Sequence, residues 1–137
     1  MTTDPNSQAA ATGNYANVNG INLYYERHGS GRPMILLHGG LGSSEMFAPI
    51  LPTLADHHEV IAVDLQGHGR TADIDRPIDV RLMADDICAL IDHLKLGQPD
   101  IVGYSLGGGV AFFTASKCPA KVRRMVMSSA NITRDAI

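Results

Sequence analysis

The stretch Ile101-Val102-Gly103-Tyr104-Ser105-Leu106-Gly107-Gly108-Gly109-Val110 runs from an apolar, strand-like segment through glycines into a helix-like one. Its centre, Gly103-Tyr104-Ser105-Leu106-Gly107, fits the pattern G-x-S-x-G between a strand and a helix, the context of a nucleophile elbow. A turn that sharp strains the serine backbone and pushes the hydroxyl outward. Residues two before and two after the serine crowd each other, so both must be small, and both are glycine. A helix over 106–117 starts directly behind Ser105. Its dipole and free amides favour an oxyanion developing there. Five residues match such a pattern by chance, and a plain structural turn is the competing reading; the flanking strand and helix favour the elbow.

Working outward, Met34 to Leu37 is a wholly apolar run that reads as a strand buried on both faces, and Glu59 to Val63 and Val122 to Met127 read as further buried strands. Tyr15 to Val18 and Ile21 to Arg27 flank Asn19-Gly20 and form a hairpin, since a type I′ turn needs positive φ at both central residues. A helix is expected from near Pro49 to Asp56. Val80, Met83, Ala84, Ile87, Leu90, Ile91 and Leu94 recur at i, i+3, i+4, i+7 and predict an amphipathic helix, with Asp79 as N-cap and Gly97 and Pro99 beyond its end. Strands alternating with helices imply an α/β fold of three layers, a mostly parallel sheet with an antiparallel N-terminal hairpin. Residues 1–14, polar and Ala-rich, read as a mobile tail before a domain over 15–137.

Composition narrows the function classes. The 137 residues are 45% hydrophobic and 18% charged, a globular balance, and the length suits one domain. Eleven Lys and Arg against 14 Asp and Glu give a net charge of −3, so no basic surplus is present to neutralise nucleic-acid phosphates. No run approaches the ~18 apolar residues of a membrane span. The first residues lack a secretory pattern, and the expected compartment is cytoplasmic. Gly103 to Gly109 is neither G-x-G-x-x-G nor a Lys-bearing P-loop, which argues against nucleotide binding. Neither a cofactor nor a metal is expected. Cys88 and Cys118 read as free, buried thiols. Asp85 and Asp86 look like a carboxylate pair but are expected on a solvated helix face, and 70–76 as a surface loop of mixed charge.

Two further segments carry chemistry. His38-Gly39-Gly40-Leu41 follows a buried strand directly. An oxyanion hole takes one amide from the residue after the nucleophile and one from such a loop. Leu106 N–H is the first expected donor and Gly40 N–H the second, ahead of Leu41; His38 is expected to be a structural hydrogen bonder rather than a base. Asp64-Leu65-Gln66-Gly67-His68-Gly69-Arg70-Thr71 follows another strand. Together, the three segments resemble the α/β-hydrolase superfamily, and most closely its cofactor-free esterase, lactonase and peroxidase-like branch. The resemblance covers about residues 15–137. It implies a nucleophile after the fifth strand, an oxyanion donor in the His-Gly loop, and a structural loop at D-x-x-G-x-G. It also implies that 15–27 and 122–127 sit at opposite ends of the sheet. Members resembling epoxide hydrolases or dehalogenases have aspartate at the nucleophile, so Ser105 argues against those reactions.

The chain departs from that pattern after Ser105. The family triad runs Ser, Asp or Glu, then His, yet all six histidines (28, 38, 57, 58, 68, 93) precede Ser105 and Asp135 is the one acid after it. The resemblance is thus to an N-terminal half, a truncated α/β-hydrolase fold without later strands or cap, with Ser128 to Ile137 where members leave for the cap. His38 and His68 lie on the same side of the sheet as Ser105 and are the internal candidates for a base. His57 and His58 lie at the opposite end, His93 on a polar helix face, and His28 on loop surface. Two functions follow. The first is a serine-nucleophile hydrolase of small carboxylic esters or lactones, impaired as an isolated chain, with Ser105 attacking and Gly40 and Leu106 holding the oxyanion. The second is a non-catalytic fragment that binds a hydrophobic ligand or a partner chain. An open 122–127 edge strand would favour a homodimer or a complementing chain. The missing histidine favours the second function for the isolated chain.

Overall fold

The computed structural model describes residues 13–130. Most of the expected tail and the segment 131–137, including Asp135, lie outside the described residues. Six strands form one sheet: β1 (Gly13–Val18), β2 (Ile21–His28), β3 (Arg32–Leu37), β4 (His58–Val63), β5 (Asp100–Tyr104) and β6 (Met125–Ser128). Their order is β1-β2-β4-β3-β5-β6. β2 runs antiparallel to β1 and β4, and the other neighbours are parallel. The expected hairpin is present, and Asn19 and Gly20 both take positive φ, 50° and 79°. β1 starts at Gly13, so residues 13 and 14 belong to the sheet and not to a tail.

Three helices complete the layers: α1 (Leu51–Ala55), α2 (Val80–His93) and α3 (Leu106–Lys117). α2 and α3 cover one face, where Ile35, Leu37, Ile61, Val63 and Ile101 meet Met83, Ile87, Leu90 and Val110. The other face carries a smaller cluster, Leu36, Val60 and Phe47 with Leu51 and Leu54. Consecutive strand residues therefore feed opposite layers, which is why these strands read as unbroken apolar runs. Asp79 caps α2 by accepting the Arg81 amide at 2.8 Å. The helix expected from Pro49 is shorter, starting at Leu51 after a 3₁₀ turn over Ser44–Phe47.

Sheet register builds the site. Leu37 stands opposite Val63 of β4 and Gly103 of β5. The loops that begin at His38, Asp64 and Ser105 therefore leave the sheet side by side, at its carboxyl edge.

Four expectations are corrected. The last strand is 125–128 rather than 122–127, and its residues alternate between half-buried and exposed instead of being buried on both faces. Position at the sheet edge explains this, because α3 covers only one side of it. Cys88 and Cys118 form a disulfide, not free thiols. Packing of α2 against α3 brings their Cα atoms to 6.5 Å, and closing a loop of 30 residues this way contributes about 3.6 kcal/mol. Asp86 is not solvated: it is 2% exposed and paired with Arg76, which reaches in from the loop read as surface. His28 ends β2 and pairs with Glu26 at 3.0 Å rather than lying in a loop.

Candidate active site

Ser105 sits between β5 and α3 at φ 53° and ψ −114°, a conformation an L-residue adopts only under constraint. Two steric facts impose it. A Cβ on Gly103 would lie 2.5 Å from the Gly107 carbonyl carbon. A Cβ on Gly107 would lie 2.5 Å from the Leu37 carbonyl carbon and 2.6 Å from the His38 oxygen. The first is the crowding expected from sequence; the second, against the end of β3, adds a constraint that the motif alone does not reveal. The Ser105 amide donates to Ser128 O at 2.8 Å, tying the elbow to the end of β6.

The His38 loop packs against this elbow. A Cβ on Gly39 would lie 3.5 Å from Ser105 Cβ, and one on Gly40 would lie 3.8 Å from Leu106 Cβ. The two residues expected to supply the oxyanion donors are thus neighbours. Within the loop, the Gly39 amide donates to Met46 Sδ at 3.3 Å and the Gly42 amide to Gly39 O at 3.2 Å. Neither the Gly40 nor the Leu106 amide has an acceptor among the described residues. Ser105 Oγ likewise has no partner there. Two free amides beside a free hydroxyl can receive a tetrahedral oxyanion next to the attacked carbon.

Among the described residues neither internal histidine is hydrogen-bonded to Ser105. His38 is fully buried, and its Nε2 accepts the Leu65 amide at 2.9 Å. That fixes the tautomer: Nδ1 carries the proton and donates to Gly39 O at 2.7 Å. Both nitrogens are occupied, and burial lowers the pKa below its ordinary value. His38 is the structural hydrogen bonder the sequence suggested. His68 stands beside it, with ring centroids 5.1 Å apart, and donates Nδ1–H to Gln66 O at 2.9 Å. It lines a cavity of about 390 Å³ with Leu41, Gln66, Asp73 and Ile78, whose walls do not include Ser105. Leu41, at φ 64° and fully exposed, projects from the rim. Among the described residues no three His, Cys, Asp or Glu side chains converge as metal ligands, and no helix is long and apolar enough to cross a membrane.

Sequence reasoning missed the links that hold the loops. Gln66 is buried and joins Asp73 at 2.8 Å and Arg76 at 2.7 Å. Arg76 in turn meets Asp86 on α2, which also takes Asn19 Nδ2 at 3.2 Å. Charge-assisted bonding to Asp86 raises the Arg76 pKa. A polar pair on a helix face gave no sign of this, because its partner lies on an irregular loop.

Known proteins share this fold. The alpha/beta hydrolase fold family matches residues 32–136. A soluble epoxide hydrolase of Corynebacterium sp. (strain C12) is 38% identical over 107 residues, 76% of this chain and 36% of that protein. A pimeloyl-[acyl-carrier protein] methyl ester esterase of Neisseria meningitidis is 40% identical over 106 residues, 76% of this chain and 39% of that protein. Among solved structures, an epoxide hydrolase without ligand superposes with a TM-score of 0.86 at 33% identity, covering 90% of this chain and 44% of that one. The chain spans between a third and a half of the length of these relatives.

Proposed function

The chain belongs to the alpha/beta hydrolase fold family, and on that premise we propose that it carries the nucleophile and oxyanion hole of a hydrolase of small carboxylic esters or lactones. The observation behind this reading is the strained Ser105, whose hydroxyl has no partner among the described residues, beside the Gly40 and Leu106 amides, which have none there either. Ser105 Oγ attacks the acyl carbon and gives up its proton to water, the two amides take the charge that develops on the carbonyl oxygen, and the ester C–O bond breaks to release the alkoxide or phenolate and leave an acyl-serine. An esterase relative supports the substrate class. The epoxide hydrolase relatives share the scaffold, but a serine at the elbow fits acyl transfer better than attack by a carboxylate on an epoxide.

No histidine follows Ser105 in these residues, both His38 nitrogens are occupied, and among the described residues no hydrogen bond joins His68 to Ser105. Loss of the Ser–His unit costs about 10⁶ in kcat, while oxyanion hole and binding retain about 10³–10⁴ over water. Acylation by an activated ester, whose leaving group needs no acid, then outruns deacylation. The test is nitrophenyl acetate hydrolysis by this chain and by Ser105→Ala. We expect slow release in the wild type, above buffer, that the variant abolishes. Equal rates would remove the hydrolase reading.

A second reading is favoured by β6. It carries no charge, Val126 is 56% exposed, and no strand lies beyond it among the described residues. Such an edge accepts another strand, here from a second copy of the chain. Size-exclusion chromatography giving a monomer at high concentration would count against it.

A further inference from the structure

The loop that offers the Gly40 amide is closed locally by the Gly42 amide on Gly39 O, but its position is not set by its own residues alone. It is held from the neighbouring loop by one side chain, and that loop is held from it by another. Asp64 Oδ1 accepts the Ser44 amide at 2.8 Å across 20 residues of chain. His38 Nε2 accepts the Leu65 amide at 2.9 Å in the opposite direction. The two bonds bracket the segment 38–44, which contains Gly40, and cross-link it to the end of β4.

Asp64 is itself over-determined. Its Oδ2 accepts the Arg70 amide at 2.9 Å, its carbonyl accepts the Thr71 hydroxyl at 2.7 Å, and its amide donates to Tyr24 O at 3.0 Å. The side chain is 2% exposed, so these bonds are made away from competing water. Thr71 Oγ1 also accepts the Tyr24 amide at 2.8 Å, which anchors the hub to β2. Gly69, at φ 54°, packs directly on the carboxylate and leaves no room for a Cβ. The turn over 69–70 is therefore built around this acid.

We propose that Asp64 is a positioning residue for the oxyanion hole: its carboxylate, through the Ser44 amide, sets where the Gly40 amide points relative to Ser105. This rests on the oxyanion role proposed above for Gly40 and Leu106. A donor aimed in advance stabilises charge without reorganising, whereas a loop free to swing offers the same amide at lower occupancy. Loosening it therefore weakens binding of an oxyanion and spares the nucleophile.

The test uses butylboronic acid in mildly alkaline buffer, whose boron bonds to the serine oxygen as the hydroxyl proton passes to buffer, leaving a negatively charged tetrahedral boron at the hole. Boron-11 NMR reads the adduct, and titration gives its Kd. Wild type should form it and Ser105→Ala should not. Asp64→Asn keeps the shape but gives up one amide-accepting oxygen, and should bind about tenfold more weakly while still folded by circular dichroism. Gly69→Ala, which leaves Asp64, Ser44 and His38 in place but presses a methyl on the carboxylate, should weaken binding in the same direction if Asp64→Asn does not fold. Amide exchange at Ser44 and Arg70 should quicken in both variants. A purely structural role would lower the melting temperature and leave Kd unchanged; an unchanged Kd in the folded variant overturns the proposal. An adduct absent from wild type refutes the Ser105 reading first and the positioning role with it.

Discussion

The elbow and the oxyanion loop lie against each other yet are held in different ways. The elbow is fixed by backbone: Gly103 and Gly107 are places where any Cβ would strike main-chain atoms of α3 or β3. The loop is fixed by side chains that reach across from elsewhere, Asp64 to the Ser44 amide and Arg76 to Asp86 behind them. A backbone constraint tolerates no substitution and shows in a local motif. A side-chain constraint tolerates graded loosening and shows only when the fold has brought distant residues together.

Substitutions separate the two. Gly107→Ala should do the most damage, because the clash is with the Leu37 and His38 carbonyl groups and no rotamer relieves it. We expect a loss of more than about 3 kcal/mol in urea unfolding. A stable variant would show that the elbow has more room than its geometry implies. Arg76→Ala leaves the Asp86 carboxylate buried without its charge partner. The expected cost is about 3 kcal/mol, with Arg76→Ala, Asp86→Leu recovering part of it, since an uncompensated charge is worse than an apolar pair. Faster amide exchange in 64–78 with the elbow unchanged would sharpen the contrast.

The smallest effect concerns His38. Its folded pKa lies below the ordinary 6.5, because burial disfavours the charged ring. Protonation would also set an N–H against the Leu65 amide. The folded state thus binds this proton less readily than the unfolded one. The contribution is complete above pH 6.5 and is lost as pH falls from there through the folded value. Melting temperature followed from neutral to acid pH should fall more steeply for wild type than for His38→Gln, whose amide does not titrate. Parallel curves would contradict it.

The same division explains what was legible in the sequence. The elbow, the hairpin turn at Asn19-Gly20, the Asp79 cap and the amphipathic α2 are local patterns, and the structure has each in place. The placement of the N-terminal hairpin and the last strand at opposite ends of the sheet followed from the family resemblance rather than from periodicity. Gly40 and Leu106 proved to be neighbours because both segments follow paired strands whose register is shared. The Ser44–Asp64 link, the buried Asp86 and the disulfide between Cys88 and Cys118 each join residues far apart in sequence. Asp86 in particular sits on the polar side of a helix whose pattern points to water, until Arg76 arrives from a loop with no periodicity. The β6 boundary slipped because Val122 packs on the core before the strand begins, and Arg123 and Arg124 are tied to Pro99 and Ile101 by backbone hydrogen bonds that lie outside the paired register.

The central claim is that Ser105 is a nucleophile facing the Gly40 and Leu106 amides. Intact-protein mass spectrometry after incubation with nitrophenyl acetate tests it most directly, with the adduct mapped by proteolysis. One acetyl group per chain is expected, on the peptide containing Ser105 and absent from Ser105→Ala. Acetylation spread over surface lysines and identical in the variant, or none at all, would contradict it.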